Sequence, residues 1–210
     1  MLSEKNNIIF VHIPKCGGTS VESAIWEDHE KTEENLWMGF LDKYHNKYQT
    51  GGLQHLKAIQ IRQHIGRSKF DNFFKFSIVR NPFARIVSQF LYMESRPDLR
   101  DYIDMNADDS LITYLHKIQK RSHVQWEQQV SFLYDYKGNL LVDKVIQLEQ
   151  INSLPEILKN NTPISIERIP RTNTNKFKYH YKDYLCTDSI SMITDLYFED
   201  FEAFGYSTSP

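Results

Sequence analysis

Ile8-Ile9-Phe10-Val11 is a short, unbroken apolar run bounded by polar residues, the pattern of a strand covered on both faces. It feeds a turn, His12-Ile13-Pro14-Lys15-Cys16-Gly17-Gly18-Thr19-Ser20, and positions 20–26 leave that turn with helical spacing. A second run, 73–79, is nearly continuous in apolar character and ends at Arg80. Asn81 is a good N-cap and Pro82 suits the first helical position, so a helix is predicted from there, with Phe83, Ile86, Val87, Phe90 and Leu91 facing the core. After a turn at Lys137-Gly138-Asn139, positions 144–148 read as another strand. Further helices are expected at 53–65 with a stop at Gly66, and at 111–118, 124–133, 151–158 and 189–201. The charged stretch 28–34, the polar stretch 95–109 with its Pro97, and the irregular basic stretch 160–182 read as loops. Trp37, Phe40, Tyr44 and Tyr48 recur among polar residues and are expected to pack, more than to stack on a sugar, before Thr50-Gly51-Gly52 breaks the chain.

Strand, turn and helix, repeated, give an α/β fold with a mostly parallel central sheet and helices on both faces. In such a sheet ligands bind beyond the carboxyl ends of the strands. Two candidate stretches fall at that edge. The first is the 12–20 turn, where a strand dissolves into glycines and restarts as a helix. Its backbone N–H groups converge at a helix N-terminus, which favours phosphate or a similar oxyanion. Gly17 and Gly18 permit close approach, Lys15 adds a mobile cation, and Thr19 and Ser20 add hydroxyl donors. Cys16 fits the turn as a small filler, with an activated thiolate as the other reading. The lysine precedes the glycines, so the G-x-x-x-x-G-K-[ST] pattern of ordinary ATPases is absent and the loop is P-loop-like only. The second stretch places Arg80 at the end of a central strand and Ser88 two turns into the helix beyond it.

Composition changes this picture little. The 210 residues suit a single domain, 1–210, and a net charge of −2 excludes a broad electrostatic grip on nucleic acid. Cys16 and Cys186 are the only cysteines, too few for a disulfide framework, and no Cys/His ligand cluster marks a metal site. With no apolar run of membrane-spanning length, a cytoplasmic protein is the expectation.

Together the two stretches resemble the sulfotransferases that use 3′-phosphoadenosine 5′-phosphosulfate (PAPS), and most of all the carbohydrate branch with the heparan and chondroitin enzymes. Ile13-Pro14-Lys15-Cys16-Gly17-Gly18-Thr19-Ser20 is similar to the loop that holds the 5′-phosphosulfate. The stretch from Phe76-Ser77-Ile78-Val79-Arg80-Asn81-Pro82 through Ser88 is similar to the element that holds the 3′-phosphate. Weaker similarity runs through 143–149 to Phe204-Gly205-Tyr206. The resemblance implies metal-independent sulfuryl transfer to an acceptor hydroxyl, on a saccharide or glycoconjugate. The chain departs from the Golgi members in showing no membrane anchor and few cysteines, which suits a soluble, bacterial-type or otherwise cytoplasmic member. That departure leaves a glycan precursor, a lipid-linked sugar or a small hydroxylated metabolite as acceptors. Lys15 would neutralise the leaving oxygen, Arg80 and Ser88 would bind the 3′-phosphate, and the loop from Cys16 to Ser20 would cradle the 5′ end. His55, in Gly-Leu-Gln-His-Leu-Lys, is implied as the base, with Glu22 as fallback and His12 as a weaker third. Arg171, Asn173 and Lys176 are implied as further nucleotide contacts in the basic loop. A small-molecule kinase of P-loop-like fold and a non-catalytic nucleotide- or glycan-binding protein are the competing readings.

Overall fold

The computed structural model describes residues 1–26, 31–39, 41, 43, 53–170 and 180–210. In chain order it forms β1 (Leu2–Ser3), β2 (Ile8–Val11), α1 (Gly18–Ile25), α2 (Ala58–Ile65), α3 (Arg67–Asn72), β3 (Phe74–Val79), α4 (Pro82–Tyr92), α5 (Pro97–Tyr102), α6 (Leu111–Ile118), α7 (Val130–Leu133), β4 (Lys144–Gln147), α8 (Leu154–Asn161), α9 (Thr187–Leu196) and α10 (Phe198–Phe204). Short 3₁₀ turns occupy Leu53–His55, Met93–Ser95, Leu148–Ser153 and Tyr181–Tyr184.

The strands form one sheet in the order β1-β2-β3-β4. β1 is antiparallel to β2, whereas β2, β3 and β4 are mutually parallel. Every residue of β2 and every residue of β3 beyond Phe74 is buried. Alternate side chains point to opposite faces, so both faces are covered, which is the α/β arrangement the pattern predicts. The buried Ser77 is satisfied within the sheet, its Oγ donating to Val11 O at 2.7 Å. The register sets Val11 beside Ser77 and Val79 beside Gln147, so β3 runs on after β2 has ended. That stagger brings the turn after β2 level with Arg80.

Two apolar clusters build the interior. One wraps the sheet and includes Phe10, Phe76, Trp26 and Ile146; the other joins Phe83, Ile86 and Val87 of α4 to Leu115, Ile193 and Phe201. At the start of α4, Asn81 Oδ1 accepts from the N–H groups of Phe83 and Ala84 at 3.0 and 3.3 Å, with Pro82 beside it, as the sequence predicts.

Several expectations are corrected. The 95–109 loop contains α5, because Pro97 lies in its first turn, where a missing N–H costs nothing, and Leu99 is buried. The 124–133 helix shrinks to α7: the carbonyls of Gln125 and Glu127 accept from the Arg85 guanidinium instead of a helical ladder. The 189–201 helix is two helices, broken at Tyr197, and the bend lets Asp200 turn its carboxylate to the N–H groups of Gln129 and Val130. Gly66 ends α2, but α3 follows at once. The 151–158 helix begins at Leu154 and continues to Asn161. Phe40, Tyr44, Tyr48, Gly51, Gly52, Arg171, Asn173 and Lys176 lie outside the described residues. Among the described residues no helix is long and apolar enough to cross a membrane.

Candidate active site

A cavity of about 850 Å³ opens beyond the carboxyl ends of β2, β3 and β4. The segment after β2 contributes His12, Lys15, Gly17, Gly18, Thr19, Ser20 and Glu22; the segment after β3 contributes Arg80, Ser88 and Tyr92; that after β4 contributes Leu148, Glu149 and Asn152. Lys31, Gln54, His55, Gln125, Ile169 and Pro170 add to the wall. Every sequence-predicted site residue within the described chain thus lines one cavity, except Cys16.

Cys16 is buried beneath the turn, where its Sγ–H donates to Gln129 Oε1 at 3.2 Å. Burial pushes its thiol up to about 11, so it is a protonated filler and not a thiolate. The turn itself is close-packed. Gly17, at φ 80°, is the left-handed residue before α1, and a Cβ on it would sit 2.6 Å from Leu148 Cδ1. At Gly18 a Cβ would fall 1.9 Å from His12 Nε2. Gly18→Ala is therefore expected to cost about 1–3 kcal/mol of stability by overpacking. Thermal melts of Gly18→Ala against the Gly18→Ala/His12→Ala pair check this, since opening the imidazole's space should restore much of the loss.

Lys15 adopts φ 66°, a left-handed conformation unusual for a residue with a Cβ. Its carbonyl accepts from Arg80 Nη1 at 3.2 Å, and the preceding carbonyl, of Pro14, accepts from Arg85 Nε at 3.1 Å. The Lys15 ammonium rests 3.9 Å from the centre of the Tyr92 ring. Burial, followed by repulsion from Arg80, lowers its pKa to about 8. Burial also lowers Arg80. Two desolvated cations, from the ends of neighbouring strands, therefore face one cavity, an arrangement that a polyanion relieves. Ser88 and Tyr92 stand four residues apart on α4 and so share its cavity face.

His55 ends the 3₁₀ turn Leu53–His55, anchored by buried Leu53 and Leu56. Its Nδ1 lies 3.0 Å from His12 O. A carbonyl only accepts, so Nδ1 carries the proton and Nε2 keeps its lone pair, 3.4 Å from the Gln54 amide nitrogen. Burial, then the neighbouring His12, holds the ring well below the usual histidine pKa, so it is neutral near pH 7. Glu22 is arranged differently. Its Oε1 lies 3.1 Å from His12 Nδ1, and although burial is the largest influence and pushes the carboxyl up, His12, Trp37 and Lys31 together hold it below the usual range. Glu22 is therefore ionised and engaged by His12, whereas His55 is neutral with Nε2 facing the Gln54 amide; both line the cavity.

Tyr92, Gln54, Gln125, Glu149, Arg85 and Gln129 escaped the sequence reading as site residues. The helical spacing from Ser88 points to Tyr92, and the position just past a parallel strand points to Glu149. Nothing local marks Gln129. Among the described residues no cluster of His, Cys, Asp and Glu side chains is arranged to hold a metal ion. Compared with known proteins, residues 1–207 match the model of the sulfotransferase family. No curated protein matches the chain, and no solved structure does.

Proposed function

The chain belongs to the sulfotransferase family, and on that premise we propose that it transfers a sulfuryl group from PAPS to an acceptor hydroxyl on a carbohydrate, by in-line displacement. The observation that carries the donor assignment is the pair of cationic sites, Lys15 with the glycine turn and Arg80 with Ser88, walling one cavity. A donor with phosphate at both its 5′ and 3′ ends needs two such sites; an ordinary nucleoside triphosphate needs one. The glycine turn supports the fit, because Leu148 and His12 pack so closely on Gly17 and Gly18 that the turn is held as bare backbone at the start of α1.

In this reading the N–H groups at the start of α1 hold the 5′-phosphate, and the Arg80 guanidinium and Ser88 hydroxyl hold the 3′-phosphate. His55 Nε2 takes the acceptor's hydroxyl proton as that oxygen bonds to sulfur. The bond from sulfur to the bridging oxygen breaks, and the Lys15 ammonium meets the charge that collects on that oxygen. Adenosine 3′,5′-bisphosphate leaves with the electron pair. A saccharide acceptor and a cytoplasmic setting extend the reading, supported by the sequence resemblance and by two free cysteines.

Calorimetric titration in metal-free buffer tests the donor. Adenosine 3′,5′-bisphosphate is expected to bind far more tightly than ATP or AMP, and Arg80→Ala to weaken it about ten- to a hundredfold, the worth of a charge-assisted phosphate contact. A preference for ATP would sink the assignment in favour of a kinase.

A further inference from the structure

The two cationic sites sit on different segments, which meet where Arg80 Nη1 donates to Lys15 O at 3.2 Å and are joined again, from beneath, by one buried side chain. Gln129 is fully buried at the start of α7. Its Oε1 accepts both the Cys16 Sγ–H at 3.2 Å and the Arg80 backbone N–H at 2.9 Å. Its Nε2 donates to the Arg80 carbonyl at 2.9 Å. The carboxamide therefore grips the backbone of Arg80 like a neighbouring strand while holding the glycine turn from beneath. Gln129 is itself fixed, because its N–H donates to Asp200 Oδ2 at 2.9 Å. Arg85 braces the same region by a separate route, from Pro14 O to the carbonyls of Gln125 and Glu127.

We propose that Gln129 is a positioning residue that fixes the spacing between the turn after β2 and Arg80, and so makes the protein selective for donors that engage both sites at once. The proposal rests on the donor reading above. Its physical basis is complementarity. A ligand with two anionic ends gains from both sites only if their separation is held, whereas a ligand with one end is indifferent to that separation. The amide is suited to this task because it offers an acceptor and a donor from one rigid plane. A hydrophobic residue of the same volume would fill the space and hold neither segment.

The test compares adenosine 3′,5′-bisphosphate with adenosine 5′-phosphosulfate, which lacks the 3′-phosphate, on wild-type protein and Gln129→Met. Loss of the shared hydrogen bonds is expected to weaken the bisphosphate by about tenfold or more while the 5′-phosphosulfate compound keeps its affinity, so the ratio of the two constants falls. Global destabilisation lowers the folded fraction for both ligands alike and leaves that ratio unmoved. Where Gln129→Met does not accumulate as folded protein, Cys16→Ala cuts only the arm to the turn, and the ratio should fall in the same direction by less. Equal weakening of both ligands, or of neither, overturns the proposal while leaving the donor reading intact. Wild-type protein that prefers ATP overturns the donor reading, and this proposal with it.

Discussion

His55→Asn is expected to lower turnover by about two to four orders of magnitude, the usual worth of a positioned general base, while binding adenosine 3′,5′-bisphosphate as the wild type does. Asparagine is the informative replacement. Its amide N–H reproduces the Nδ1 donor that faces His12 O, so the 3₁₀ turn keeps its anchor and the buried site keeps its polar satisfaction. Only the lone pair of Nε2 is lost. His55→Ala should cost as much in rate and more in stability, since it removes the donor to the His12 carbonyl from a buried hydrogen bond. Turnover within a few-fold of wild type for His55→Asn would remove His55 from the chemistry. A Glu22→Gln variant that then proved inactive with unchanged folding would move the base there. If instead the wild-type protein binds the bisphosphate and never turns over any acceptor, the non-catalytic binding reading stands.

Lys15→Ala carries the second large effect, a fall in kcat of about two to three orders of magnitude with a much smaller change in donor KM, as expected for a donor that meets charge only in the transition state. The substitution is structurally mild, because alanine inherits the same left-handed backbone and the Arg80 contact to the residue's carbonyl. Lys15 also sets a pH signature. In the free enzyme its ammonium is held to about pKa 8, so the charge is present below that pH and lost above it. The kcat/KM for donor in wild-type protein should therefore decline as pH rises through about 8. On the acid side, His55 becomes protonated only well below the ordinary histidine range, so the profile should stay level down through pH 6.5. Lys15→Arg, cationic at every accessible pH, should lose the alkaline limb even where its rate is low. An alkaline limb that survives this change belongs to another group.

How much of this was legible in the chain depends on whether the signal was local. β3 and the Asn81-Pro82 start of α4 follow from a short apolar run and a capping pair, and both stand where the pattern placed them. The glycine turn was legible because its function is written in its own backbone. What escaped is tertiary. The 124–133 stretch has helical periodicity, yet its first part gives its carbonyls to Arg85, a partner that no window of that stretch contains. The break at Tyr197 has a similar origin: its hydroxyl donates to Trp126 O, and Asp200 beyond it caps Gln129 and Val130. Gln129 reads as one polar residue among several, and only the folded chain shows it touching both cation-bearing segments.

The stagger of the sheet, which leaves β3 running beyond β2, carries a consequence for how the protein is made and kept. Its cavity draws residues from His12 to Pro170 and from the ends of three parallel strands. Such pairings form late and slowly, since distant segments must meet before any of them is rewarded. The cavity is complete only when the segments after all three strands are in place. Occupancy of the cavity is then a property of the finished fold, and a nucleotide at a hundred times its dissociation constant would add about 2.7 kcal/mol to the native state. On the donor reading above, a cell rich in donor would carry more intact protein than one depleted of it, with synthesis unchanged, because a ligand that binds only the folded state lowers the unfolded fraction that proteases cut.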